Sequence, residues 1–177
     1  MGPSRTTHMF LFVIVALLGL APAVQGGELP VQLRRQGARI HVFMGSHPFT
    51  SYFFGAESPK LYLHPLRSAE GTIVTRGFPM RKDIPGESTD YPHHRGLFFA
   101  HGDINGINSW AEQEPTKAQQ TAKGTFYPSE ALPKVRTVFV KLDEMKGMPV
   151  AGTVKASFHR VGPEGQVMGT ETQAYTF

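Results

Sequence analysis

The segment Val150–Arg160 (VAGTVKASFHR) sets the strongest limit on what this chain can fold into. Val150, Val154, Ala156 and Phe158 share one parity, while Ala151, Thr153, Lys155, Ser157 and His159 share the other. A period of two puts apolar side chains on one face of an extended chain and polar ones on the opposite face, which a helix cannot do. The segment is therefore predicted to be a strand with one wet face. Val161-Gly162-Pro163-Glu164-Gly165-Gln166 supplies turn chemistry, and Val167–Phe177 follows as a predicted antiparallel partner.

The same reading extends upstream. Ala38–Met44, Thr50–Phe54 and Lys60–His64 are rich in aromatic and aliphatic residues and are punctuated by Gly45, Pro48, Gly55, Pro59 and Pro65. Thr72–Thr75 and Leu97–His101 are shorter candidates, and Lys134–Leu142 is a further strand. The 19 Gly and 14 Pro fit many turns and short elements, and they argue against a helical bundle. Sequential strands with short connections predict an all-β fold, an antiparallel β-sandwich, with residues 27–177 forming one domain. Ser109–Lys123 is polar and reads as an exposed loop. Phe177 falls inside a predicted strand with no polar tail after it, so the sheet is expected to be incomplete at the C-terminus, in a chain that is part of a longer domain.

Residues 1–26 read differently. Arg5 and His8 precede Met9–Ala21, 13 residues with no charge, and Pro22–Gly26 then places Val24 and Gly26 at positions a signal peptidase tolerates. This is the pattern of a secretory signal peptide, and the run is short of the roughly 20 apolar residues a membrane span needs. A secreted or periplasmic location follows, with no membrane association after cleavage. The chain has no cysteine, which removes disulfides, thiolate metal sites and a Cys nucleophile. Its net charge of +4, reduced to +3 without Arg5, comes with no basic run, so nucleic acid is not an expected partner. Oligomeric state is left open.

The chemistry is concentrated in Arg76–Trp110. His93, His94 and His101 fall within nine residues, beside Asp83, Glu87, Asp90, Arg95, Asp103, Asn105 and the only tryptophan, Trp110. The string Thr89-Asp90-Tyr91-Pro92-His93-His94-Arg95-Gly96-Leu97, followed by His101-Gly102-Asp103-Ile104-Asn105-Gly106, resembles the signature of the "methane oxygenase PmoA" family of secreted bacterial domains. Leu61–Arg67 and Val74–Met80 are similar to its approach to that motif. The resemblance implies a longer domain with a β-sandwich like that of the sugar mutarotases (a galactose-mutarotase-like supersandwich), in organisms that degrade polysaccharides. The family label itself implies a metal-dependent oxygenase.

Three readings of the cluster follow. In a sugar pocket, His93, His94 and His101 are the candidate catalytic groups, since imidazole can act as acid or base near neutral pH. Arg95, Asp103 and Asn105 would then contact sugar hydroxyls, and Trp110 would stack on a pyranose face. In a metal centre, copper or non-haem iron would suit imidazole and carboxylate ligands. An extended His94–His101 spans roughly 23 Å, however, so one uninterrupted strand cannot bring both ends to one ion or one small ligand. No metal ligand set or cofactor is therefore assigned. In the third reading, the cluster only supports an interaction domain, with Asp103–Gly106 a turn built on Asn-Gly. His41, His47, His64 and His159 are expected to be structural or exposed. No phosphate loop, nucleophile elbow, His-Glu-x-x-His or dinucleotide motif is present. Carbohydrate or another small molecule is the expected ligand.

Overall fold

The computed structural model describes residues 29–57, 60–110 and 135–177. The expected signal peptide lies outside the described residues, as does the polar loop from position 111 onward; Ser109, expected to be exposed with that loop, is buried. The described residues are all-β and contain no helix. The strands are β1 Val31–Gln36, β2 Arg39–Met44, β3 His47–Phe53, β4 Tyr62–Leu63, β5 Leu97–Phe98, β6 Asp103–Ile104, β7 Ile107–Asn108, β8 Arg136–Gly147, β9 Gly152–Val161 and β10 Val167–Thr176.

They form an antiparallel five-stranded sheet in the order β1-β2-β3-β4-β5, a three-stranded sheet β10-β9-β8, and the two-stranded hairpin β6-β7. The alternation read in Val150–Arg160 becomes β9, where Gly152, Val154, Ala156, Phe158 and Arg160 are buried in turn, whereas Val150, expected on the same face, precedes the strand and is exposed. The expected partner strand is β10, paired from Val161↔Val167 to Thr153↔Thr176. One core joins the two larger sheets. Ile40, Tyr52, Phe54, Leu61 and Leu63 from the first pack with Val154, Ala156 and Phe158 from the second.

A polar chain crosses this core at one end. Thr137 Oγ1 accepts from Arg160 (2.9 Å), and Arg160 pairs with Glu171. Glu171 accepts from Gln173, whose amide oxygen accepts from Tyr52 (2.9 Å) and Tyr175 (2.8 Å). Burial, and after it the Glu171 charge, pushes the Tyr175 phenol up to about 12; the Tyr52 phenol is raised further, chiefly by burial. Both phenols stay protonated and donate.

Several expected strands are shorter than predicted. Lys60–His64 pairs only at Tyr62–Leu63, because Pro65 has no N–H to continue the ladder. Leu97–His101 pairs only at Leu97–Phe98, and Thr72–Thr75 yields a single bridge, Arg67↔Ile73. Strand β1 is an addition to the prediction: with only Val31 and Leu33 apolar, it is an edge strand with little pattern of its own.

Candidate functional site

Because side chains alternate along a strand, β2, β3 and β4 bury Ile40, Tyr52 and Leu63 on one face and turn Arg39, Phe53 and Tyr62 to the other. Register aligns these outward residues. Arg39 pairs with Phe53, Phe53 with Tyr62, and Tyr62 with Phe98. The result is a row crossing four strands. Phe53 and Tyr62 stack at 4.7 Å, with Arg39 over Phe53 at 4.5 Å and Arg95 over Tyr62 at 5.6 Å.

At the β5 end, the row runs into an imidazole–aromatic cluster. His94 stacks on Tyr91 (5.2 Å, 15°) and on Phe98 (5.9 Å, 26°), and Phe98 lies 5.9 Å from Trp110. A turn places these rings: the His94 N–H donates to the Tyr91 carbonyl, and Tyr91 takes a left-handed φ of 45°. His93 is only 2% exposed, and its Nε2 accepts from the indole N–H of Trp110 at 3.0 Å. Burial, then the charges of Lys60, His94 and Arg76, lowers the His93 pKa to about 3. A neutral ring that accepts at Nε2 carries its proton on Nδ1. The lone pair a general base would use thus holds Trp110. His94 is also lowered, by burial first and then by Arg76 and Lys60, with Asp90 opposing. Lys60, 2% exposed, donates to the Trp110 carbonyl and sits over the rings of Phe98 (5.4 Å) and Trp110 (5.7 Å).

The other residues singled out in the sequence fall elsewhere. His101 is exposed, and its Nδ1 accepts from the Asp103 N–H at 3.3 Å. Asp103 Oδ1 accepts from the Gly106 N–H at 2.9 Å, while Asn105 and Gly106 take φ of 54° and 78°. This is the two-residue hairpin turn that Asn-Gly favours, here joining β6 to β7. The hairpin reaches the cluster through Ser109, which donates to the carbonyls of His101 and Gly102, next to Trp110. The structure therefore gathers His93, His94 and Trp110, and sets His101, Asp103 and Asn105 on the adjoining hairpin. The His94–His101 segment is not one uninterrupted strand, since Gly96 has φ 57° and pairing stops at Phe98.

Among the described residues no group of three or more His, Cys, Asp or Glu side chains is placed to hold a metal ion. A copper or iron centre would need a ligand from beyond them.

Arg95 belongs to a second feature. A cleft of about 800 Å³ opens between the aromatic row and the chain that follows β4. Arg39, Arg67, Arg81, Arg95 and His64 line it, with Glu87 as the carboxylate in its wall. Both Glu87 oxygens accept backbone N–H groups, from Gly77 (2.6 Å) and Phe78 (2.8 Å), and these bonds, Gly77's foremost, hold the carboxyl below its usual range. Arg76 fastens the same chain through the Ser88 (2.7 Å) and Asp90 (3.0 Å) carbonyls. His64 is lowered, by burial first and then by Arg81, so it adds no charge near neutral pH. Sequence reasoning did not reach Lys60, Tyr91, Phe98 or the arginines other than Arg95.

These observations define an all-β domain with a ligand-sized cleft and an aromatic face on one sheet. A family model described as "Family of unknown function (DUF6807)" matches residues 39–177, and the chain belongs to that family. No curated protein and no solved structure matches it. Nothing in the family match links the chain to a methane oxygenase.

Proposed function

We propose that this is an exported carbohydrate-binding domain whose ligand lies on the outer face of the five-stranded sheet, against Trp110, Tyr91 and Phe98. One observation carries the reading. Trp110 and Tyr91 are each 38% exposed, yet the indole is locked in place by its bond to His93. A rigid, wet aromatic surface costs little ordering entropy when a flat apolar ligand face is laid on it. Sugars present such faces, ringed by hydroxyls, and His94 beside the rings offers them a neutral donor and acceptor. His94 is also the histidine here whose ring nitrogens are not committed to Trp110 or to a turn, so it is the candidate proton-transfer group if the bound sugar is processed. The motif resemblance and its mutarotase-like β-sandwich support the same direction, by analogy of fold.

Isothermal titration calorimetry of the full chain against neutral mono- and disaccharides tests the reading. Binding is expected, weakened at least about tenfold in Trp110→Ala. A wild-type chain that binds no saccharide, or a Trp110→Ala variant that binds as well as wild type, overturns it. Polarimetry on anomerically pure sugar with wild type and His94→Ala tests turnover separately.

A further inference from the structure

We infer that the arginine-lined cleft beside the aromatic row is a carboxylate subsite, and that the preferred ligand is an acidic saccharide bearing a uronate. The inference rests on the carbohydrate reading for the sugar and on separate observations for the acid. Four arginines line the cleft against one carboxylate, Glu87. That carboxylate accepts the two backbone N–H groups that close its own turn and also feels the charges of Arg76 and Arg81, so it is one negative charge set against the four arginines of the cleft. Among the described residues, no carboxylate makes an ion pair with Arg39, Arg67 or Arg81. Arg39 instead lies over Phe53, and Arg67 reaches only the Gly71 carbonyl, at 3.5 Å.

Like charges gathered around a cavity repel one another, and a structural role would supply ion-pair partners for Arg39, Arg67 and Arg81. A bound anion provides that partner, and guanidinium matches a carboxylate through two parallel hydrogen bonds. Size narrows the choice further. About 800 Å³ far exceeds a lone oxyanion and falls in the range of organic-ligand sites. Phe53, half-buried beneath Arg39, gives the cleft an apolar wall, and Tyr62, only 4% exposed, is stacked against it from the side of β4. A free phosphate has no use for that wall; a pyranose carrying a carboxylate uses both.

The test is calorimetry of the full chain with digalacturonate, lactose and inorganic phosphate as probes, using wild type, Trp110→Ala and the double variant Arg39→Gln/Arg81→Gln. Both arginines are exposed, so their substitution leaves the core intact, and circular dichroism checks this. Digalacturonate is expected to bind at least about tenfold more tightly than lactose, with the preference shrinking as salt rises and lost in the double variant. Equal binding of the two disaccharides, both weakened by Trp110→Ala, overturns the subsite and leaves the platform standing. Uronate binding that depends on the arginines but ignores Trp110 supports the subsite and overturns the platform. Phosphate binding as tight as uronate overturns the saccharide assignment, and no binding by either disaccharide overturns both readings.

Discussion

His93 shows how one side chain can be read from its surroundings. Its pKa of about 3 in the folded protein lies below the 6.5 of an unfolded chain, so between these values the unfolded state binds the extra proton. Stability is therefore complete above pH 6.5 and falls as the solution is acidified through this window. At pH 5.5 the loss attributable to His93 is about 1 kcal/mol. Urea midpoints measured from pH 7 to pH 4 should fall for wild type and fall less steeply for His93→Gln. His64 and His94 are shifted the same way, so some slope remains in the variant. A second expectation concerns the indole. Trp110→Phe keeps an aromatic ring but removes the N–H that His93 accepts, and loss of that buried hydrogen bond should cost about 1 kcal/mol. Thermal unfolding of that variant checks it. The pairing of His93 with Trp110 could not be read from the sequence, because it depends on Gly96 and the β6-β7 hairpin folding the intervening residues back.

At the scale of elements, the two-residue pairing of β4 with β5 hangs on Gly96. A Cβ there would stand 2.3 Å from the Leu63 carbonyl of β4, in a residue already at φ 57°. Gly86 has a similarly left-handed φ of 76° but open space around it. Gly86→Ala should cost about 1–2 kcal/mol from backbone conformation alone. Gly96→Ala should cost clearly more, because β5 must move away, taking Phe98 out of the aromatic row. Comparing the denaturation midpoints of the two variants isolates the clash. The elements also differ in how legible they were. Strand β9 was plain because Val154, Ala156 and Phe158 enter one core at alternate positions, and the Asn105-Gly106 turn was plain because its chemistry is local. Strands β4 and β5 were overextended because apolar composition marks burial, and burial here continues beyond the paired residues Tyr62–Leu63 into Leu61 and His64. Three histidines and Trp110 were close enough in sequence to be noticed as a group. Arg39, Arg67 and Arg81 were not: only the strand register and the path after β4 bring them around one space.

For the whole molecule, the decisive contacts run between the sheets. Phe158 of β9 is fully buried among residues of β3 and β4, so Phe158→Ala should cost about 3–5 kcal/mol and lower both sheets' stability together. A single unfolding transition followed by amide exchange in β3 and β9 is the expected signature. The Arg160–Glu171 pair is similarly placed, with both side chains largely buried. Glu171→Gln leaves the guanidinium without its charge partner and should destabilise by about 3–5 kcal/mol. Replacing the pair together, as Arg160→Met with Glu171→Leu, should recover much of that loss. The row Arg39–Phe53–Tyr62–Phe98 has a consequence of its own at this scale. It crosses three strand spacings of about 4.8 Å, so it measures about 14 Å from end to end. Sheet pairing fixes that distance, and flexing a loop will not change it. Arg39 and Phe98 are in effect the end marks of a ruler laid perpendicular to the strands: affinity for a homologous series of chains should climb with each added sugar until both marks are reached, and then stay level.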